Sequence, residues 1–216
     1  MKKFFVLLLM FAGLVLTGCA KTVTTYIQPQ EYEIKNTRVY NKGYDEVWKA
    51  TVDSIATNFW SIDNVQKDSG IITISFATDE ASRWVDCGMM HHVVTQGVQD
   101  ITYSMTDPNV ALKQAVGGGN VWDVVRTVRL IAKSNIIVKK EGSSKTRVTI
   151  NTNYNLVCKY GAPLITPLVG APFYFGQPTT SSQNFTTIKE GRDNEQICRS
   201  KNTLEENILD AIQLLL

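Results

Sequence analysis

Apolar and polar residues alternate without a break over residues 147–157. Val148, Ile150, Thr152, Tyr154 and Leu156 fall on one side, and Arg147, Thr149, Asn151, Asn153 and Asn155 on the other. Successive side chains of a strand point to opposite faces, so this period of two specifies an antiparallel strand with one face buried and one wet. The polar run Glu141-Gly142-Ser143-Ser144-Lys145 before it reads as a hairpin loop, and residues 121–140 ahead of that are β-rich. There Trp122, Val124, Val128 and Leu130 share a face that Arg126 interrupts.

Two helices are expected to cover such a sheet. Tyr44, Val47, Trp48, Thr51, Val52, Ile55 and Phe59 recur at three- and four-residue spacing and so share one helical face. Asn41 or Gly43 supplies the start, and Asp45 and Glu46 suit the positive end of the helix dipole. Near the other end Thr203 and Glu206 make a capping box, with Leu204, Ile208, Ala211, Ile212 and Leu215 as one apolar face. Residues 60–65 and 71–76 are short β-prone runs around the turn Gln66-Lys67-Asp68-Ser69-Gly70, a hairpin with Ile72, Ile74 and Phe76 on one side. Residues 37–40 and 101–105 are further strands. Residues 83–88 could be a strand, residues 89–92 have no clear period, Asp107-Pro108 marks a break, and Gly117-Gly118-Gly119 reads as a flexible turn.

Two stretches lack this regularity. Residues 20–36 carry Pro29 and no sustained period, which predicts a tether, the alternative being an extended segment that docks on a partner. Residues 159–191 scatter Pro163, Pro167, Pro172 and Pro178 among Gly, Thr and Ser, yet hold Leu164, Ile165, Leu168, Val169, Phe173, Tyr174 and Phe175. A long loop inside a compact domain is often functional. It either folds back over the core or offers an apolar surface to a partner, with Leu164, Ile165, Leu168, Phe173, Tyr174 and Phe175 as the contact residues.

The N-terminus has its own logic. Lys2 and Lys3 precede an apolar run over residues 4–16, and Leu16-Thr17-Gly18-Cys19 follows. A charged start, a greasy middle and small residues before a cut form a secretory signal. At about 13 residues the run is too short to span a bilayer. Leu-Thr-Gly-Cys resembles the lipobox of bacterial lipoproteins. That resemblance implies removal of residues 1–18, diacylglyceryl modification of Cys19, and three acyl chains holding the protein to a membrane. One chain binds only marginally, whereas several hold well. In Gram-negative lipoproteins an aspartate after the acylated cysteine favours the inner membrane. Here the position is Ala20, so the resemblance implies the outer membrane, with the protein facing the periplasm.

The whole chain has 22 Lys and Arg against 20 Asp and Glu, and loss of Lys2 and Lys3 leaves the two balanced. A neutral chain has no electrostatic reason to bind nucleic acid or a polybasic-patch lipid surface. The expected organisation is a lipidated tether over residues 19–36 and one α+β domain over residues 37–216. An antiparallel curved sheet would pack against two helices. The run Tyr44-Asp45-Glu46-Val47-Trp48 and the turn Asp68-Ser69-Gly70-Ile71-Ile72 resemble the opening of helix-grip domains in envelope lipoproteins. The BamC-like subunits of the outer-membrane β-barrel assembly machinery are one such family. BamC itself has two such domains and a long unstructured N-terminal segment, whereas this chain has room for one.

Beyond Cys19, three cysteines remain: Cys87, Cys158 and Cys198. An oxidising compartment favours one disulfide and one leftover thiol. Cys87 and Cys198 both sit at element boundaries and are the favoured pair; Cys158–Cys198, or three buried thiols, are the alternatives. Cys87-Gly88-Met89-Met90-His91-His92 offers soft ligands for copper(I), but neighbours on one strand point apart and no second cluster completes a cage. Asp86, Cys87 and His91 or His92 could supply a thiol and its base, yet no recognised catalytic signature accompanies them. The expectation is a non-enzymatic envelope protein without metal or cofactor that binds other envelope proteins. The alternative is a carrier or sensor of a hydrophobic molecule in a cavity between sheet and helix.

Overall fold

The computed structural model describes residues 19–58, 60–115, 120–161 and 197–216, and the backbone course of residues 173–178 and 184–187. The fold is α+β, mostly antiparallel sheet with two helices. Its spine is a ribbon of two long strands, β9 (Val121–Lys140) and β10 (Thr146–Gly161). They pair without a register shift from Thr146 opposite Lys140 to Gly161 opposite Val125. The loop closes with Glu141 N–H donating to the Lys145 carbonyl at 2.8 Å. As the alternation requires, Val148, Ile150, Thr152, Tyr154 and Leu156 are buried, facing Val138, Ile136, Ser134, Ala132 and Leu130 across the ribbon.

Other strands flank the ribbon end by end. On the outer edge of β9 lie β8 (Asn109–Ala115) toward its start and β4 (Ile71–Thr78) toward its finish, with β3 (Ser61–Gln66) beyond β4. On the outer edge of β10 lie β2 (Thr37–Tyr40) and, further along, β11 (Phe173–Pro178). From β11 the sheet continues through β12 (Asn184–Thr187) and β13 (Ile197–Ser200) to the two-residue β5 (Val85–Asp86). A second sheet of three strands has the order β1 (Thr22–Ile27), β6 (Met89–Val94) and β7 (Gln99–Ser104).

The expected hairpin of residues 60–76 is β3–β4. Its turn ends on Gly70, whose φ is +68° and where an added Cβ would lie 2.2 Å from the Val138 carbonyl oxygen. That oxygen's own residue donates its N–H back to the Gly70 carbonyl at 2.8 Å, so the turn is clamped to β9 and only glycine fits.

Helix α1 (Tyr44–Thr57) buries Val47, Trp48, Ala50, Thr51, Ser54 and Ile55 on one face, as its spacing predicts; Phe59 lies outside the described residues. Thr51 and Ser54 survive in that face because each hydroxyl donates to a helix carbonyl, of Val47 at 2.7 Å and of Thr51 at 2.8 Å. Helix α2 (Thr203–Leu215) buries Leu204, Glu205, Ile208, Leu209 and Ile212. The Thr203–Glu206 capping box does not form. Asn202 holds the cap position in a left-handed conformation, φ 61°, fixed by its N–H donating to Ser200 Oγ at 3.0 Å, and Thr203 is already helical. Leu215, expected on the apolar face, is half-exposed at 53%. Both helices pack on the half of the ribbon flanked by β2 and β4 and on each other.

Two sequence expectations are corrected by strand pairing. Residues 22–27 belong to β1, hydrogen-bonded in regular antiparallel register to β6, and are not a free tether. Part of residues 159–191 is also sheet: β10 runs to Gly161, and β11 and β12 pair in sequence beside it. Backbone hydrogen bonds decide both cases, and neither depends on a clean apolar period.

Candidate functional site

The N-terminal segment is fastened to the body at several points. Cys19 is exposed. Two residues later the Lys21 carbonyl accepts the Thr95 N–H at 2.9 Å, and β1 begins. At its far end the Tyr26 hydroxyl lies 2.8 Å from the Ile197 carbonyl and 3.0 Å from that of Cys87, and it accepts the Ile197 N–H at 3.0 Å. Burial raises the Tyr26 pKa, so the hydroxyl keeps its proton. Farther along, the Tyr32 hydroxyl donates to Asp86 Oδ2 at 3.0 Å, Arg199 pairs with Glu31 at 3.0 Å, and the Asn36 carbonyl accepts the Ile150 N–H at 2.8 Å.

Cys87 and Cys198 are joined in a disulfide closing a separation of 111 residues. It lies where Tyr26 docks, so a covalent bond and the N-terminal strand secure the same corner. Gly88, next to the bridge, has φ +78°, and a Cβ there would lie 2.1 Å from the Ile27 carbonyl oxygen. Cys158 is a buried thiol, its sulfur accepting from Arg126 Nη2 at 3.4 Å.

The residues weighed as soft-metal ligands or as a thiol–base set are dispersed. Cys87 is committed to the disulfide. His91 is partly exposed and holds Asp100 Oδ1 at 2.7 Å, whereas His92 is buried and donates to the Lys113 carbonyl at 2.8 Å. They point to opposite faces of β6, and among the described residues no three His, Cys, Asp or Glu side chains gather. Of the expected partner-binding residues, Leu164, Ile165 and Leu168 lie outside the described residues. Phe173, Tyr174 and Phe175 open β11 opposite Cys158, Val157 and Leu156.

The structure adds a surface the sequence reading missed. A groove of about 450 Å³ runs between the end of α1 and the exposed side of α2, lined by Asn58, Trp60, Arg83, Trp84, Asn207, Asp210, Ala211 and Leu214. Arg83 lies 4.9 Å over the Trp84 ring and thereby covers it, while Phe76 packs beside that ring at 5.1 Å. Asp210 is held at 2.8 Å by Arg38. At the rim, the last turn of α2 presents Leu214, 87% exposed, beside Leu215. Fixed aromatic and charged walls beside a solvent-facing aliphatic rim suit a protein surface better than a closed small-molecule cavity.

No helix among the described residues is long and apolar enough to cross a membrane. Comparison with protein-family models, with curated proteins and with solved structures returns no match.

Proposed function

We propose that this chain is a lipid-anchored envelope protein, attached through Cys19 to the outer membrane and facing the periplasm. It would bind other envelope proteins without catalysing a reaction, in assembly or maintenance of the outer membrane. The observation that carries the binding role is the groove rimmed by Leu214, since exposed aliphatic side chains beside a preformed concavity mark interaction surfaces. The Leu-Thr-Gly-Cys motif supports the anchor, and the Cys87–Cys198 disulfide supports an oxidising compartment. The two helices on an antiparallel sheet are compatible with a helix-grip domain of the BamC-like kind, which is part of the proposal.

Site-specific photo-crosslinking in intact envelopes tests it. A photoreactive residue replacing Leu214 should capture a defined protein, while the same probe at Ile131 on another exposed face should not. Capture of β-barrel assembly subunits supports the full reading. Capture that is equal at both sites, or absent at both, overturns the groove's role. Palmitate labelling that survives Cys19→Ser would overturn the anchor.

A further inference from the structure

Among the described residues the sheet edges are blunted except one. β2, paired only with β10, is four residues long and carries Arg38. β3, at one end of the large sheet, carries Asp63 and a break in register between Ile62 and Asn64. β5, at the other end, is two residues long. β7, at one edge of the second sheet, carries Asp100, while the Gln99 side chain accepts the Lys113 N–H of β8 at 2.6 Å and donates to the Ala111 carbonyl at 3.2 Å. Charges, bulges, shortness and cover are the usual ways an edge is kept from pairing with another chain. β1 has none of them. Its six residues, Thr-Val-Thr-Thr-Tyr-Ile, carry no charge and no proline, and they pair with β6 in unbroken register.

The parity of that register defines what the free edge presents. Lys21 and Thr95 form a hydrogen-bonded pair, and the Ile27 carbonyl points at Gly88, so Val23, Thr25 and Ile27 turn their backbone groups toward β6. Thr22, Thr24 and Tyr26 therefore direct their N–H and C=O groups away from it. No described residue meets these groups; the nearby Ala115 N–H is taken by the Thr22 side chain. Val23 and Ile27 are 44% and 52% exposed.

We infer that β1 is the interface through which a second copy of this chain adds its own β1, antiparallel, about a two-fold axis at Thr24. In that register Thr24 faces Thr24 of the second copy, and Thr22 faces Tyr26. Each facing pair exchanges two backbone hydrogen bonds, so every outward group of the strand is satisfied at once. Shifting the register by two residues leaves some of them unmade, and shifting by one turns the wrong groups inward. The pairing is free of like-charge contacts, because Lys21 lies opposite Ile27 of the other copy. The two three-stranded sheets join into one of six strands, with the Cys19 residues at opposite ends of the β1 pair. The inference does not depend on whether Cys19 is acylated.

Sedimentation of the purified full chain tests it, together with Thr24→Pro. Proline removes the outward N–H of residue 24 and leaves the bonds from Val23, Thr25 and Ile27 to β6 in place. The wild type should sediment at twice the chain mass, and Thr24→Pro at the single mass with the circular dichroism spectrum of a folded chain. A second measurement does not rely on that variant folding. In a Cys19→Ala background, Thr24→Cys should oxidise to a disulfide-linked dimer. Ile27→Cys should not, since its two copies lie about 20 Å apart along the strands. A monomeric wild type, a dimer indifferent to Thr24→Pro, or equal cross-linking at both positions would each overturn the proposal.

Discussion

The two halves of the β9–β10 ribbon are held together by different means. The half under the helices is an aliphatic core: Val47 and Ile55 of α1 and Leu204, Ile208, Leu209 and Ile212 of α2 lie against Ile72, Ile74, Ile136, Val138, Val148 and Ile150. Each such side chain contributes about 1.5–3 kcal/mol on burial. No α-helix among the described residues lies over the other half. Met90, Tyr103, Met105, Val110, Leu112 and Val128 are buried there alongside His92 and Arg126, and the Cys87–Cys198 bridge and the Tyr26 contacts close the corner. Where helices cover a sheet, apolar area suffices; where they do not, a covalent bond and polar contacts to the N-terminal strand take over.

Removing the bridge should have the largest effect. Cys87→Ser with Cys198→Ser releases a loop whose closure stabilises the fold by about 4–5 kcal/mol on the chain-entropy model. The loss should also be uneven. Amide exchange should speed first at residues 22–27, 89–94 and 197–200, and later at 44–57 and 203–215. Equal acceleration in both groups would make the protein one cooperative unit and dissolve the comparison.

Arg126 sharpens it next. Its guanidinium is fully buried, donates to the Met105 carbonyl and lies 5.6 Å over the Tyr103 ring, while Nε and Nη1 have no acceptor among the described residues. Among the described residues, this half therefore buries a guanidinium against a carbonyl, a sulfur and an aromatic face. Arg126→Met keeps the bulk and removes the desolvation cost, and should raise stability by about 1–3 kcal/mol. A denaturation midpoint that falls would mean the charge is compensated better than these contacts account for.

What was legible in the sequence follows from how local each signal is. The β9–β10 alternation, both helices, the β3–β4 hairpin and the Cys87–Cys198 pair rest on short-range periods, turn residues or boundary positions, and the structure contains them. β1 was not legible because its partner lies some 70 residues away and neither face of Thr22–Ile27 is fully buried. β8 was missed because Val110 and Leu112 alone give too little alternation. β11 was hidden by proline-rich surroundings, although its pairing uses backbone groups. The Leu214 groove draws on residues from three parts of the chain, and no local pattern could reveal it.

Glu205 is the counterpart of Arg126 under the helices, and it gives the smallest and most selective effect. Its polarity in the first turn of α2 suggests a solvent position, yet it is fully buried, with Oε2 3.5 Å from the Tyr154 hydroxyl and Oε1 without a close hydrogen-bond partner among the described residues. Unlike arginine it can become neutral, and burial raises its pKa above the ordinary 4.5. Below that value both folded and unfolded chains are protonated and the side chain carries no pH-dependent cost. As pH rises through it, the unfolded chain ionises while the folded one holds its proton, so stability falls by up to about 1.4 kcal/mol per pH unit until the folded pKa is passed. Glu205→Gln removes this dependence. The difference in unfolding free energy between the variant and the wild type should be near its minimum at pH 4 and grow in the variant's favour toward pH 7. A difference that is flat across that range would mean Glu205 is ionised equally in both states, and that the helical half, like the Arg126 half, holds a charge it cannot discard.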